Sequence, residues 1–474
     1  MKRYKTIKAV SSLLSTFCLI INIVLLSAFT GCSEKEPVVV IPPVVVEPNP
    51  DFEQYGTPYT GVPDARDAAI YQVNIRTFSA TRNFQGVIAR LDSIRDLGVN
   101  IIYLMPVYPV GTLKAINSPY CIKNYKGVNP EFGTLDDLRI LVAAAHERGM
   151  SVMLDWVANH TAWDHPWISN KTWYKQDASG NIVSPNGWTD VAQLNFSNPD
   201  MRLEMINSMK YWVYQANVDG FRCDYADGPP AGFWKQAIDS LRNIRTHKLL
   251  LLAEGTRSDH FASGFDYCFG FRFYDILKNI YSNGASVFNL TGLNTTEYAG
   301  ASDAQRVVRY ITNHDVNGSD GTPLELFGGA AGSMASFVTA AYMKSVPMIY
   351  NGQEIGYAQR LTFPFTGTVI DWNGNKAMCA EYKKLMSFYN SSTAIRRGSL
   401  IIYNDVNICA FSRSSSSETV LMMSNLRNNM VNYTLPAEIA NTTWKNAFTN
   451  EGVSLTSQIS LTPYQYVVLK KERS

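Results

Sequence analysis

From about residue 66 the chain alternates short apolar runs with amphipathic stretches. Ala69–Ile75 is apolar and rich in β-formers. Val87, Leu91 and Ile94 then recur at helical spacing, and Gly98 is placed to end that helix. Val99–Met105 reads as the next buried strand. Thr134 is placed to cap a helix carrying Leu138, Leu141, Val142 and Ala145, which Gly149 ends. Further strands are predicted over Val152–Trp156, Val218–Asp224, Lys248–Glu254, Val307–Thr312 and Val346–Tyr350. Repeated strand–helix units of this kind build a parallel sheet.

The intervals between strands say which sheet. Ile75 to Leu104 and Asp224 to Glu254 each span about 30 residues, one strand–helix unit, and Glu254 to Asp315 spans about two. One more strand therefore belongs near Phe265–Phe269. The sum is an α/β fold, a (β/α)8 barrel over residues 66–394. Asp155 to Asp224 exceeds one unit. The excess, about 161–198, is polar and rich in Trp, Asn and Gly, and reads as a small insertion after strand three that walls the active face. From residue 395 the pattern changes to short alternating runs: Leu400–Tyr403, Ile408–Ser412, Thr419–Ser424 and Gln465–Leu469. These predict a C-terminal antiparallel β-sandwich domain over 395–474.

The first residues follow a different logic. Lys2, Arg3, Lys5 and Lys8 precede an uncharged run to Gly31, the layout of an export signal over residues 1–31. Small residues just before Cys32 resemble a bacterial lipoprotein cleavage site, with Cys32 as the lipidated residue; the competing expectation is an uncleaved membrane helix. Pro37, Pro42, Pro43, Pro48 and Pro50 favour extended chain, so 32–65 reads as a Pro/Val-rich tether. The acidic residues after Cys32 resemble export signals of surface lipoproteins in the Bacteroides group. That resemblance implies an outer-membrane lipoprotein, on the cell surface or the periplasmic face, with glycan-uptake proteins as neighbours.

Composition removes some classes. The net charge of +2 gives nucleic acid no basic surface to bind. The cysteines left after Cys18 and Cys32 show no metal or redox spacing. The 57 aromatics (26 Tyr, 22 Phe, 9 Trp) suit sugar stacking as well as ordinary cores.

Chemistry gathers at four strand ends. Strand three ends in LDWVANH, with Asp155, Asn159 and His160; strand four in GFRCD, with Arg222 and Asp224; strand five in LLAEG, with Glu254; strand seven in ITNHD, with Asn313, His314 and Asp315. In such a barrel these ends converge on one cleft. Clustered carboxyls suit glycoside hydrolysis, which needs a nucleophile and a general acid flanking one bond. Arg222 shares a strand face with Asp224 and can keep it ionised. Glu254 has no basic neighbour in sequence and follows the apolar run Leu249–Ala253, a setting that raises the pKa of an acid. A metal hydrolase would use motifs such as HxH or HExxH, and none is present.

These four segments resemble the four signature regions of glycoside hydrolase family 13, the α-amylase family, and SPYCIKNYKGVNPEFGT, QLNFSNP and VPMIYNGQEIG agree in order. The resemblance implies a retaining hydrolase of α-glucans or malto-oligosaccharides. In it Asp224 is the nucleophile, Glu254 the acid/base and Asp315 the transition-state stabiliser. It implies substrate contacts from Tyr120, His160, Arg222 and His314, with Asp155 as a brace. Transglycosylation, or starch binding without catalysis, would use the same scaffold. The chain departs from the family at Tyr225-Ala226-Asp227-Gly228, where a Lys-His pair is usual, and at Gln193, where an aspartate ligates calcium. Only Asn159 of that calcium site is retained, so no cofactor is required and calcium is not expected. Asn124 replaces a common aspartate, with a small effect expected.

Overall fold

A computed structural model of the chain describes residues 52–473. The expected export signal, Cys32 and the stretch up to residue 51 that is expected to form a tether lie outside the described residues.

Eight parallel strands close a barrel: β1 Ile70–Val73, β2 Ile101–Leu104, β3 Ser151–Trp156, β4 Gly220–Cys223, β5 Leu250–Ala253, β6 Tyr267–Phe269, β7 Arg306–Arg309 and β8 Val346–Tyr350. Each pairs with its neighbours in sequence, and β8 returns to β1 with Ile70 opposite Met348. The strands are short and buried along almost their whole length, as expected where side chains fill the barrel and helices cover it. β4 and β5 approach so closely that a Cβ at Gly220 would sit 2.0 Å from the Leu250 carbonyl oxygen. Only glycine fits there.

The expected helix at Thr134 runs over Leu135–Glu147, with a capping box between Thr134 and Asp137. The helix expected through Val87 and Ile94 is broken into Phe84–Ile88 and Leu91–Arg95. Arg90, between them, leaves helical geometry and lies over the Trp372 ring at 3.9 Å. The insertion after β3 is a loop held by one short ladder, His160–Ala162 against Val191–Gln193. It ends where Asn198 caps the helix Pro199–Ala216.

The C-terminal part is a six-stranded antiparallel sheet with a two-stranded sheet, Val431–Thr434 and Gln458–Leu461, on one side. Alternation divides its faces. Cys409, Phe411, Val420 and Met422 join the barrel's core, while Ile408, Ala410, Leu421 and Met423 pack with Tyr433 and Leu461 of the small sheet.

Residues 52–62, expected to belong to the tether, are instead packed on the barrel. They lie along its flank: the Tyr55 N–H donates to Tyr214 O at 2.7 Å, the Asn217 side chain donates to Thr57 O at 2.7 Å, and Tyr59 stacks on His146 at 4.1 Å. Phe52, Tyr55 and Tyr59 give this stretch apolar surface to bury. Among the described residues no helix is long and apolar enough to cross a membrane.

Candidate active site

Strand register builds the site. Asp155, Arg222 and Leu252 lie level across β3, β4 and β5. Asp224 and Glu254, each two residues further on, therefore emerge one layer higher on the same face. The ladder continues through both acids: the Asp224 N–H donates to Trp156 O and the Glu254 N–H to Cys223 O, each at 2.9 Å.

Arg222 is fully buried and contacts three carboxyl groups. Its Nη1 lies 2.7 Å from Asp155 Oδ1 and 3.0 Å from Asp224 Oδ1, and its Nη2 lies 2.6 Å from Glu254 Oε1. The apolar setting expected for Glu254 is thus corrected. Arg222 reaches it across the strands, and the Tyr225 N–H donates to its other oxygen at 2.8 Å. Sequence adjacency does not reveal a contact between strands. Asp155 is a brace: Tyr103 donates to its Oδ2 at 2.6 Å and Tyr120 at 3.1 Å.

One guanidinium faces several carboxyls, so the field around Asp224 is mixed. Burial pushes its carboxyl well above the usual range, Arg222 opposes this, and Glu254 adds to it. Burial drives both imidazoles down, His160 to about 4 and His314 to about 4. Both rings are neutral at pH 7 and offer hydrogen bonds rather than charge. Tyr120 fixes His314, with its Oη 2.7 Å from Nε2 and the rings stacked at 5.5 Å; the Gln72 amide holds Nδ1 at 2.7 Å. Asp315 stands at the rim, its side chain 59% exposed and ready to meet a ligand.

Tyr120, His160, Asp224, Glu254, His314 and Asp315 all line one cleft of about 510 Å³, with Arg222 beneath them. Trp188 of the insertion joins them, edge-on to His160 and Tyr225 at 5.7 and 5.1 Å. Gln72 and Tyr103 escaped the sequence reading. Gln72 had a signal, being the one polar residue of the strand IYQV.

Asp227 turns inward to the loop after β5. It accepts from the Thr256 N–H at 2.9 Å, the Arg257 N–H at 3.1 Å and the Thr256 hydroxyl at 3.0 Å, and pairs with His260 Nε2 at 2.7 Å. These contacts hold its carboxyl well below the usual range despite partial burial. Among the described residues no three of His, Cys, Asp or Glu converge to hold a metal ion.

A closed parallel barrel that gathers carboxyls around one guanidinium at its strand ends has the make-up of a barrel glycosidase. Comparison narrows the class. The α-amylase catalytic domain matches residues 74–181 and 168–397. Alpha-amylase MalA of Haloarcula japonica is 28% identical over 64% of this chain and 46% of its own length. Alpha-amylase 3 of Dictyoglomus thermophilum is 24% identical over 85% of this chain and 93% of its own. The crystal structure of an α-amylase from Lactobacillus plantarum superposes with a TM-score of 0.77 at 26% identity, covering 86% of this chain and 99% of that one. The chain thus spans under half of the Haloarcula protein and nearly all of the other two. It belongs to the α-amylase family of glycoside hydrolases.

Proposed function

We propose that the protein hydrolyses α-glucosidic bonds of starch-type glucans or malto-oligosaccharides with retention of configuration. The observation that carries this is Arg222 bridging Asp224 and Glu254. Carboxyls held by one guanidinium lie close enough to suit the separation of about 5–5.5 Å used for double displacement.

Asp224 Oδ1 is taken by Arg222, so Oδ2 attacks the anomeric carbon. Glu254 protonates the leaving oxygen, then takes a proton from the water that hydrolyses the glycosyl-enzyme. Asp315, His160 and His314 hydrogen-bond the sugar that is cleaved, and Tyr120 stacks on it. The relatives' names, α-amylases among them, support an α-glucan substrate.

No calcium enters this scheme. Calcium takes six to eight oxygen ligands, usually with carboxylates among them. The matching positions supply only the amides of Asn159 and Gln193, and Gly228 closes on Asn159 so tightly that a Cβ would lie 2.3 Å from its Oδ1. The residues do not fit the ion. We also propose export as an outer-membrane lipoprotein through Cys32, which labelling with palmitate and loss of the label in Cys32→Ala would test.

The test of function is parallel incubation with amylose, pullulan, maltotriose and sucrose. Wild type should release reducing sugar from at least one α-glucan, and Asp224→Asn should lose nearly all of it. Equal, negligible release by both would end the enzymatic reading.

A further inference from the structure

Arg76 stands outside the catalytic cluster, in the short helix Ile75–Phe78 that follows β1, and is 2% exposed. All five of its N–H donors are used. Nε and Nη2 meet Glu131 at 3.1 and 2.9 Å, Nη1 donates to Asn117 O at 2.8 Å and Pro364 O at 3.0 Å, and Nη2 donates to Asn117 Oδ1 at 3.1 Å. Asn117 and Glu131 belong to the loop after β2, and Pro364 to the loop after β8. One buried guanidinium therefore ties these loops together over the mouth of β1.

The residues beside the two tie points are Ile116 and Phe363. Both are large and apolar, exposed at 56% and 49%, and both line the active cleft. The β8 loop is fixed from further sides. The Leu361 N–H donates to Asn317 Oδ1 at 2.7 Å, the Ile370 N–H to Thr77 O at 2.9 Å and Trp372 Nε1 to Phe78 O at 2.8 Å. This makes it a wall and not a lid.

The opposite end is open. β5, which carries Glu254, lies across the ring from β1. Gly255, Thr256 and Phe271 line both the cleft and an adjoining pocket of about 230 Å³ that continues past Arg257 and Arg272. Glu254 protonates the leaving oxygen, so the departing part of the chain lies on this open side. The retained part points at the wall.

We propose that the Arg76 clamp makes the cleft blind at its glycone end, so that the enzyme takes its substrate by the non-reducing terminus and releases short sugars from it. This rests on the function proposed above. A polymer lying across the site would have to pass through Ile116 and Phe363. The cleft of about 510 Å³ is the size of a pocket for a small ligand.

The experiment uses p-nitrophenyl maltoheptaoside, free or blocked at its non-reducing 4- and 6-hydroxyls, with loss of the intact substrate followed by chromatography and no auxiliary enzyme. The full-length wild type should act on the free substrate and at least ten-fold more slowly on the blocked one. Arg76→Met should narrow that ratio several-fold and lengthen the products from amylose. Phe363→Ala, at an exposed position, should do the same if Arg76→Met fails to fold. Equal rates of wild type on both substrates overturn the blind cleft. An unchanged ratio in both variants overturns its assignment to this wall. If wild type acts on neither this substrate nor the four glucans above, the function itself has failed.

Discussion

Replacing Asp227 by alanine is the most direct probe of what the unusual sequence after β4 does. The carboxylate holds four donors of the loop 256–260. Thr256 and Arg257 can regain water, but His260 is 0% exposed and its other nitrogen, Nδ1, is already without a partner among the described residues. Orphaning a buried donor costs about 1–3 kcal/mol, and weakening the two charge-assisted backbone bonds adds about 1 kcal/mol more. We expect a loss of about 3 kcal/mol. With an unfolding entropy of roughly 2.1 cal/mol/K per residue over roughly 420 residues, that corresponds to a fall in Tm of about 3 °C. The loop begins two residues after Glu254, whose carbonyl accepts from the Ala226 N–H at 2.7 Å. A shift of the acid by a fraction of an ångström should lower kcat about ten-fold. Calorimetry and initial rates on maltotriose read the two effects, with Asp227→Asn, which keeps one acceptor, falling between. A Tm within 1 °C of wild type would refute the stability reasoning. A lower Tm with unchanged kcat would refute the link to the acid.

The buried imidazoles should cost stability in acid. His160 and His314 are held near pKa 4 by burial, so the unfolded chain takes up protons below about pH 6.5 that the folded protein refuses. Each costs about 2 kcal/mol at pH 5, so the change in Tm from pH 8 to pH 5 should be about 2 °C more favourable in His160→Gln than in wild type; an identical change in both would refute this. Arg413 is fully buried with none of its nitrogens hydrogen-bonded among the described residues, and burial pushes its pKa down to about 10. Arg413→Met should therefore raise Tm by about 1–3 °C, and a lower Tm would show that the charge is compensated. Gly220→Ala should yield no soluble enzyme because its Cβ meets the Leu250 carbonyl oxygen, whereas Gly452→Ala, with open space around it, should behave as wild type. Comparable soluble yields would refute the packing argument.

Strand spacing made the barrel legible because β1 to β2 and β4 to β5 each repeat an interval of about 30 residues and the strands share one burial pattern. Even β6, only Tyr267–Phe269, was found by interval alone. The candidate acids were legible for a related reason: parallel register places residues at strand ends together without knowledge of the loops. What the sequence hid lies in contacts between distant segments. Glu254 looked apolar because Arg222 is remote in sequence, yet the two touch. Asp227 read only as a departure from the family's Lys-His pair, and its partners lie 29 to 33 residues on. Arg76 was invisible because its carbonyl partners belong to residues of no particular type.

The strap over residues 52–62 has a practical consequence for where the enzyme can be severed from whatever precedes it. A cut at residue 66 would uncover the face of His146, whose Nε2 lies 2.7 Å from the buried Asp219, and would strip hydrogen bonds from the end of the helix Pro199–Ala216. That helix leads into β4, and β4 carries Asp224. Trimming the chain or cutting it by protease within the strap should therefore be felt at the nucleophile.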